Sequence, residues 1–312
     1  MDIVIQPSLR RAIRWLASAI IFAILARYLW QIRDQLAVIR HLDLRYLLLL
    51  ILVPLASLAV NGWIARELAL EFGVRMSAVE WYGLAVVNSL GNYMPLPQAG
   101  AAARGVYLKR VHDLPYANFA AMIFVTYVSA VALYGVLGLI GLCVIGRPAP
   151  LQLWAIFAVL SASAILFTPA IKLLPLPKRF AGFQEHLRTL RSHHVLGKIL
   201  LLQCGLVALT STGLWLACQT LPGGRAVTWP TSLMMGLMIL ASGIVNLTPG
   251  NLGVEQAAAG WTASLLNVAS SVGFLASAIF RVISLLTIVV LGPLFAAALA
   301  RKTRVTEIQS GH

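Results

Sequence analysis

The chain has 312 residues, 60% of them apolar and only 11% charged, with a mean hydropathy of +0.86. Soluble domains carry roughly 45–50% apolar and about 25% charged residues, so these proportions exclude a soluble globular enzyme and a disordered chain. The net charge of +14 sits mainly between apolar runs, which fits membrane topology and anionic-lipid contact rather than nucleic acid.

The first apolar run, about 12–30, follows Arg10, Arg11 and Arg14. No small-residue cleavage site follows, and the run ends at Arg27-Tyr28-Leu29-Trp30. It therefore reads as a retained span rather than a signal peptide. Further full spans are expected at about 46–63, 115–145, 151–172, 199–221 and 271–300. Each has roughly 18 or more mostly apolar residues, enough to cross a hydrocarbon core of about 30 Å.

Two other apolar stretches are interrupted. Residues 79–113 break at Pro95-Leu96-Pro97-Gln98-Ala99-Gly100, and 231–267 break at Asn246-Leu247-Thr248-Pro249-Gly250-Asn251-Leu252-Gly253. Proline removes a backbone donor and glycine weakens a helix, so each stretch becomes two short helical arms around a non-helical tip. Such a tip must pack in protein or line a wet cavity. Each stretch is expected to return to the side it entered.

Basic residues orient the chain. The loop 172–198 carries Lys172, Lys178, Arg179, Arg188, Arg191 and Lys198 against Glu185, and the tail carries Arg301, Lys302 and Arg304. Both belong on the cytoplasmic side with the N-terminal arginines. The segment 176–198 reads as a basic surface helix on anionic lipid. The expected fold is thus an all-α polytopic membrane protein in a cell (inner, cytoplasmic) membrane, with both termini cytoplasmic. It has about six full spans and two broken re-entrant helical hairpins. Span, span, hairpin, span occurs twice, over 12–145 and 151–300, in opposite orientations. Inverted repeats whose broken helices meet near the midplane are a transporter design. The spacing Gly135-x-x-Gly138-x-x-Gly141 suits close helix packing, within the chain or between chains.

A few polar residues stand out against this background. Arg104 lies about one turn into the second arm of the first hairpin, where the helix dipole disfavours a cation. It reads as a phosphate or carboxylate clamp, or as a side chain snorkelling to head groups with Lys109 and Arg110. Glu255 sits in the first turn after the second break, where an acid is ordinarily stabilising. Alternatively it is a counter-charge for an internal arginine, an ammonium-binding group or a proton site. Arg281, inside the last span, needs a partner, either Glu255 or a bound lipid phosphate. Asn92 and Asn246 flank the breaks, with amides suited to freed backbone groups or to head groups.

Cys143, Cys204 and Cys218 all lie in apolar runs without ligand spacing, so neither a disulfide nor a metal site is expected. No phosphate loop, GxSxG or HExxH occurs, and acids are scarce. The chain is expected to be neither an enzyme nor dependent on a cofactor.

The two broken motifs carry a family resemblance. Gly91-Asn92-Tyr93-Met94-Pro95-Leu96-Pro97-Gln98-Ala99-Gly100-Ala101-Ala102-Ala103-Arg104 resembles the first motif of the lysylphosphatidylglycerol synthase transmembrane-region family, often called flippase-like. Pro249-Gly250-Asn251-Leu252-Gly253-Val254-Glu255 resembles the second, and Ala278-Ile279-Phe280-Arg281 a later span. The resemblance covers roughly 10–300. Two departures stand out: Ala101 replaces the usual glutamate, and 120–134 lacks the usual charged pair.

The resemblance implies an integral membrane protein that moves or handles lipid, with Arg104, Glu255 and Arg281 as carried-over positions. The expected function is a lipid flippase or translocase for an anionic or aminoacylated phospholipid, or for a polyprenyl-linked lipid. The family's soluble aminoacyl-transferase domain has no counterpart here, so synthesis of lysyl-lipid is not expected. The competing reading is a non-transporting membrane subunit that scaffolds a lipid-modifying or glycosyltransferase partner.

Overall fold

A computed structural model describes residues 44–93, 98–145, 150–173, 192–245, 249–251 and 253–309. The expected first span at 12–30, most of the basic loop 172–198, Pro95, Pro97 and Asn246 lie outside the described residues. Among the described residues all regular structure is helical. The helices are α1 Leu44–Leu70, α2 Ala78–Gly91, α3 Ala99–His112, α4 Tyr116–Ile145, α5 Leu151–Leu173, α6 His193–Gln219, α7 Trp229–Val245, α8 Val254–Leu265 and α9 Ser270–Gln309.

Four helices are long and apolar enough to cross a membrane, over Arg45–Leu70, Tyr116–Ile145, His193–Gln219 and Ser270–Thr303. They match four of the six expected spans. The stretch 151–172 is helical as α5, Leu151–Leu173, and its part Leu151–Ser163 is apolar.

Helix boundaries differ from expectation for local reasons. α1 runs on to Leu70 because the change to polar residues at Arg66-Glu67 does not stop a helix. It ends where Gly73 adopts φ 76° and the Val74 N–H donates to the Ala69 carbonyl at 3.1 Å, a glycine-closed terminus. α6 starts ahead of its apolar run because the Ser192 side chain caps it, accepting from the Val195 N–H.

Two buried clusters mark the two ends of the helical bundle that the described residues form. One joins Leu68 at the end of α1, Met76 just before α2, Leu84 in the middle of α2, Leu108 near the end of α3, Met122 near the start of α4, Ile199 near the start of α6 and Leu299 late in α9. Lys109, Arg110, Lys198, Arg301 and Lys302 lie on the same helix ends, so this is the basic end. The other cluster joins Leu142 near the end of α4, Phe157 early in α5, Met234 early in α7 and Leu266 just after α8. The pair α2–α3 therefore opens toward the basic end, and α7–α8 opens toward the other.

The two hairpins pack alike. α2 lies against the preceding α1 and the distant α9, while α7 lies against the preceding α6 and the distant α4. α2 and α3 have 14 residues each, and α8 has 12. At 1.5 Å per residue, arms of about 18–21 Å fall short of a bilayer core of about 30 Å.

Close contacts fix this packing. In the first hairpin, a Cβ on Gly100 would lie 1.9 Å from the Asn88 carbonyl oxygen, so the arms cross where only glycine fits. The α4 stripe packs within the chain: Gly135 faces Ser161 and Gly138 faces Phe157, both on α5, while Gly141 faces Met234 on α7. A Cβ on Gly138 would lie 2.1 Å from the fully buried Phe157 ring. Overpacking of this kind costs about 1–3 kcal/mol. Gly138→Val should lower the thermal midpoint of the detergent-purified protein by several degrees. Gly197→Ala, with nothing within 4 Å of the new Cβ, should not lower it, since alanine favours a helix over glycine. Equal midpoints for Gly138→Val and wild type would contradict this packing.

Candidate functional site

The second tip is built from backbone that helices cannot use. Gly250, Asn251 and Gly253 all have positive φ, at 59°, 55° and 83°. The turn then enters α8, where the Gln256 side chain accepts from the Gly253 N–H at 2.8 Å. Glu255 falls in the first turn of that helix.

The two tips touch. The Gly250 N–H donates to the Asn92 carbonyl oxygen at 2.6 Å. The ring of Tyr93, itself buried, lies over Gly250 so closely that a Cβ there would stand 2.6 Å from it. Glycine is thus required twice, by its φ and by the ring above it.

Arg281 of α9 closes this junction. Its guanidinium carbon sits 5.1 Å from the Tyr93 ring centroid, and Nη1 donates to Glu255 Oε2 at 2.6 Å. Both side chains are mostly buried, 16% and 14% exposed. One cation therefore bridges the first tip, the second tip and a long span. A charged pair removed from water is costly to break by removing one partner. Asn251, 3% exposed, donates to Ser242 of α7 at 3.3 Å, while its Oδ1 has no partner.

The expected site residues do not all converge. Arg281, Glu255 and the backbone of Asn92 meet at the junction. Asn246 lies outside the described residues. Arg104 sits apart, with its guanidinium carbon 5.9 Å from the Phe119 ring centroid of α4. Its Nε is buried without a hydrogen-bond acceptor, and no contact with Arg281 or Glu255 occurs among the described residues. Among the described residues Arg281 is engaged by Glu255, while Arg104 lies beside Phe119 of α4.

Sequence reasoning missed Glu80. This carboxylate, 1% exposed, gathers five donors at the mouth of the first hairpin, outside the four long spans. Oε2 accepts from the Ser77 N–H and hydroxyl at 2.8 and 2.7 Å and from Lys302 at 2.7 Å. Oε1 accepts from the Tyr107 hydroxyl at 3.0 Å and contacts His112 Nε2 at 2.9 Å. The start of α2, the end of α3 and the end of α9 thus converge on one group. Only the Ser77-x-x-Glu80 capping pattern was readable in advance; the long-range donors have no local signature.

Burial by itself raises the Glu80 carboxyl, but hydrogen bonds from Lys302, from the side chain and backbone of Ser77 and from Tyr107 outweigh it and hold the group down at about 2. A depressed folded-state value means that the group stabilises the fold above its unfolded value of 4.5. That contribution is lost as pH falls from there toward 2. The thermal midpoint should drop as pH is lowered from 5 to 3, and Glu80→Gln should have a lower midpoint at pH 7 with a flatter acid limb. An unchanged acid limb in the variant would contradict this assignment.

These features define a multi-pass helical membrane protein organised around two broken hairpins. A family model for the lysylphosphatidylglycerol synthase transmembrane region matches residues 14–292, and the chain belongs to that family. No curated protein matches the sequence.

Proposed function

We propose that this protein is a flippase-like lipid carrier of the cell membrane, with no catalytic chemistry of its own. Its substrate class is an anionic or aminoacylated phospholipid, or a polyprenyl-linked lipid. Family membership supports lipid handling in general. The observation that carries the reading furthest is the junction itself, where a buried arginine and glutamate join two hairpin tips from opposite ends. In this reading the hairpins are re-entrant, the halves 12–145 and 151–300 are inverted repeats, and both termini face the cytoplasm. The matching packing of α2 on α1 and α9, and of α7 on α6 and α4, supports the repeat.

In the proposed cycle a head-group phosphate competes with Glu255 for Arg281, and the freed carboxylate takes a proton or an ammonium group. Arg104 gives a second anion contact, since its buried Nε has no acceptor. Acyl chains stay in the bilayer. Nothing in the sequence suggests a nucleotide-driven motor, so movement is downhill or ion-coupled.

A second reading has one observation in its favour. Arg281 and Glu255 already satisfy each other, as a purely structural pair does. The protein would then be a non-transporting subunit that scaffolds a lipid-modifying enzyme.

Leaflet exchange of head-group-labelled lipids in proteoliposomes separates the two. Arg281→Gln leaves Glu255 buried and unpaired, at a cost of about 3–5 kcal/mol. Adding Glu255→Gln should restore most of the stability. The carrier reading predicts exchange by wild type and at least about a tenfold loss in the double variant, corresponding to about 1.4 kcal/mol in the barrier. Arg104→Gln should also slow exchange with little loss of stability. Failure of wild type to exchange any anionic, aminoacylated or polyprenyl lipid would favour the scaffold, as would full exchange by a stable double variant.

A further inference from the structure

We infer that α9 is hinged at Gly292-Pro293, and that the first hairpin is the moving member of the two, carried by the C-terminal half of α9. The hinge is read from packing alone; its part in lipid movement rests on the carrier reading. A proline inside a helix removes one hydrogen bond and crowds the carbonyl four residues back, at a cost of about 3 kcal/mol. In α9 that carbonyl belongs to Val289, and the proline follows a glycine, itself a weak helix former. Bends in long helices concentrate at such steps.

The prolines are unevenly placed among the four long spans. Pro54 lies inside α1 and Pro293 inside α9, whereas α4 and α6 contain none. α1 and α9 are the spans packed on α2 of the first hairpin, and α4 and α6 are the spans packed on α7 of the second. The walls of the two hairpins therefore differ. Those of the first are interrupted by proline, and those of the second are not.

Pro293 also separates two sets of contacts along α9. On its N-terminal side, Gly273 faces Ala259 and Ala263 of α8, Phe280 faces Gly213 of α6, and Arg281 is paired with Glu255. On its C-terminal side, Phe295 lies against Gly83 and 5.3 Å from the Tyr82 ring centroid, and Lys302 holds Glu80 at 2.7 Å. Gly292 itself abuts Leu90 in the last turn of α2. One half of the helix is thus fixed to the second hairpin and the other half to the first. Pro293 is exposed, so neither set of contacts encloses its ring. Arg281 precedes the hinge by about 18 Å of helix. A tilt of the C-terminal half moves the first hairpin against a stationary Arg281, and it acts on the 5.1 Å contact between Arg281 and the Tyr93 ring.

The test measures distances between paired spin labels by double electron–electron resonance, in the full chain in lipid nanodiscs with Cys143, Cys204 and Cys218 replaced. Val106→Cys on α3 with Ala257→Cys on α8 spans the hinge. Ala257→Cys with Leu286→Cys lies on one side of it, and all three positions are exposed. The hinge predicts a broad or two-peaked distribution for the first pair and a single narrow one for the second. Pro293→Ala supplies the missing N–H to Val289 at an exposed site. It should narrow the first distribution, leave the second unchanged and not lower the thermal midpoint. A first distribution as narrow as the second in the proline-containing chain, or one unaffected by Pro293→Ala, would overturn the hinge. In proteoliposomes where wild type exchanges lipid, Pro293→Ala should slow exchange several-fold, and unchanged exchange would remove the hinge from the carrier cycle. Absence of exchange by wild type counts against the carrier reading instead, and the distances still decide the hinge.

Discussion

The structure depends on one contact, the hydrogen bond from the Gly250 N–H to the Asn92 carbonyl. A chain that breaks its helices within an apolar medium exposes backbone groups that lipid cannot satisfy. Here the two breaks answer each other. The second tip needs three residues at positive φ, a conformation that no helix would hold, and it is held against the first tip by the Tyr93 ring. Much of the remaining architecture places those two tips at the same point from opposite ends.

The charges follow from this constraint. Arg281 could not stand alone in α9, and Glu255 could not stand alone beside a broken helix. Together, under Tyr93, they form a polar knot that belongs to both hairpins and to a long span. Glu80 does the equivalent work at the basic end, tying both feet of the first hairpin to α9 through Ser77, Tyr107, His112 and Lys302. The first hairpin is therefore pinned at its tip by one charged group and at its base by another. Its own arms, at 14 residues each, are too short to be held by span length.

Much of this was legible in the sequence because the signals were local. Long apolar runs gave α1, α4, α6 and α9, and proline and glycine clusters gave the two breaks. The Glu255–Arg281 partnership was readable because an intramembrane arginine has few acids to choose from. Arg104 shows where such reasoning stops: its place in the motif suggested an anion clamp or a snorkelling side chain, but its packing beside the Phe119 ring of α4 has no local signature. The Glu80 network was invisible because three of its donors lie 27 or more residues away in sequence. The glycine stripe at 135–141 was readable as a packing surface, but whether its partner was α5 or a second chain depended on the three-dimensional course of the helices.

The central claim is that the hairpins open to opposite ends of the molecule and meet at their tips. Two single-cysteine variants test it most directly, made in a background with Cys143, Cys204 and Cys218 replaced. Arg75→Cys marks the base of the first hairpin and Ala269→Cys the base of the second; both positions are exposed. Each is labelled with a membrane-impermeant thiol reagent in sealed, oriented vesicles. The account predicts that one is modified only from the outside and the other only after the vesicles are opened. Modification of both from the same side would contradict it.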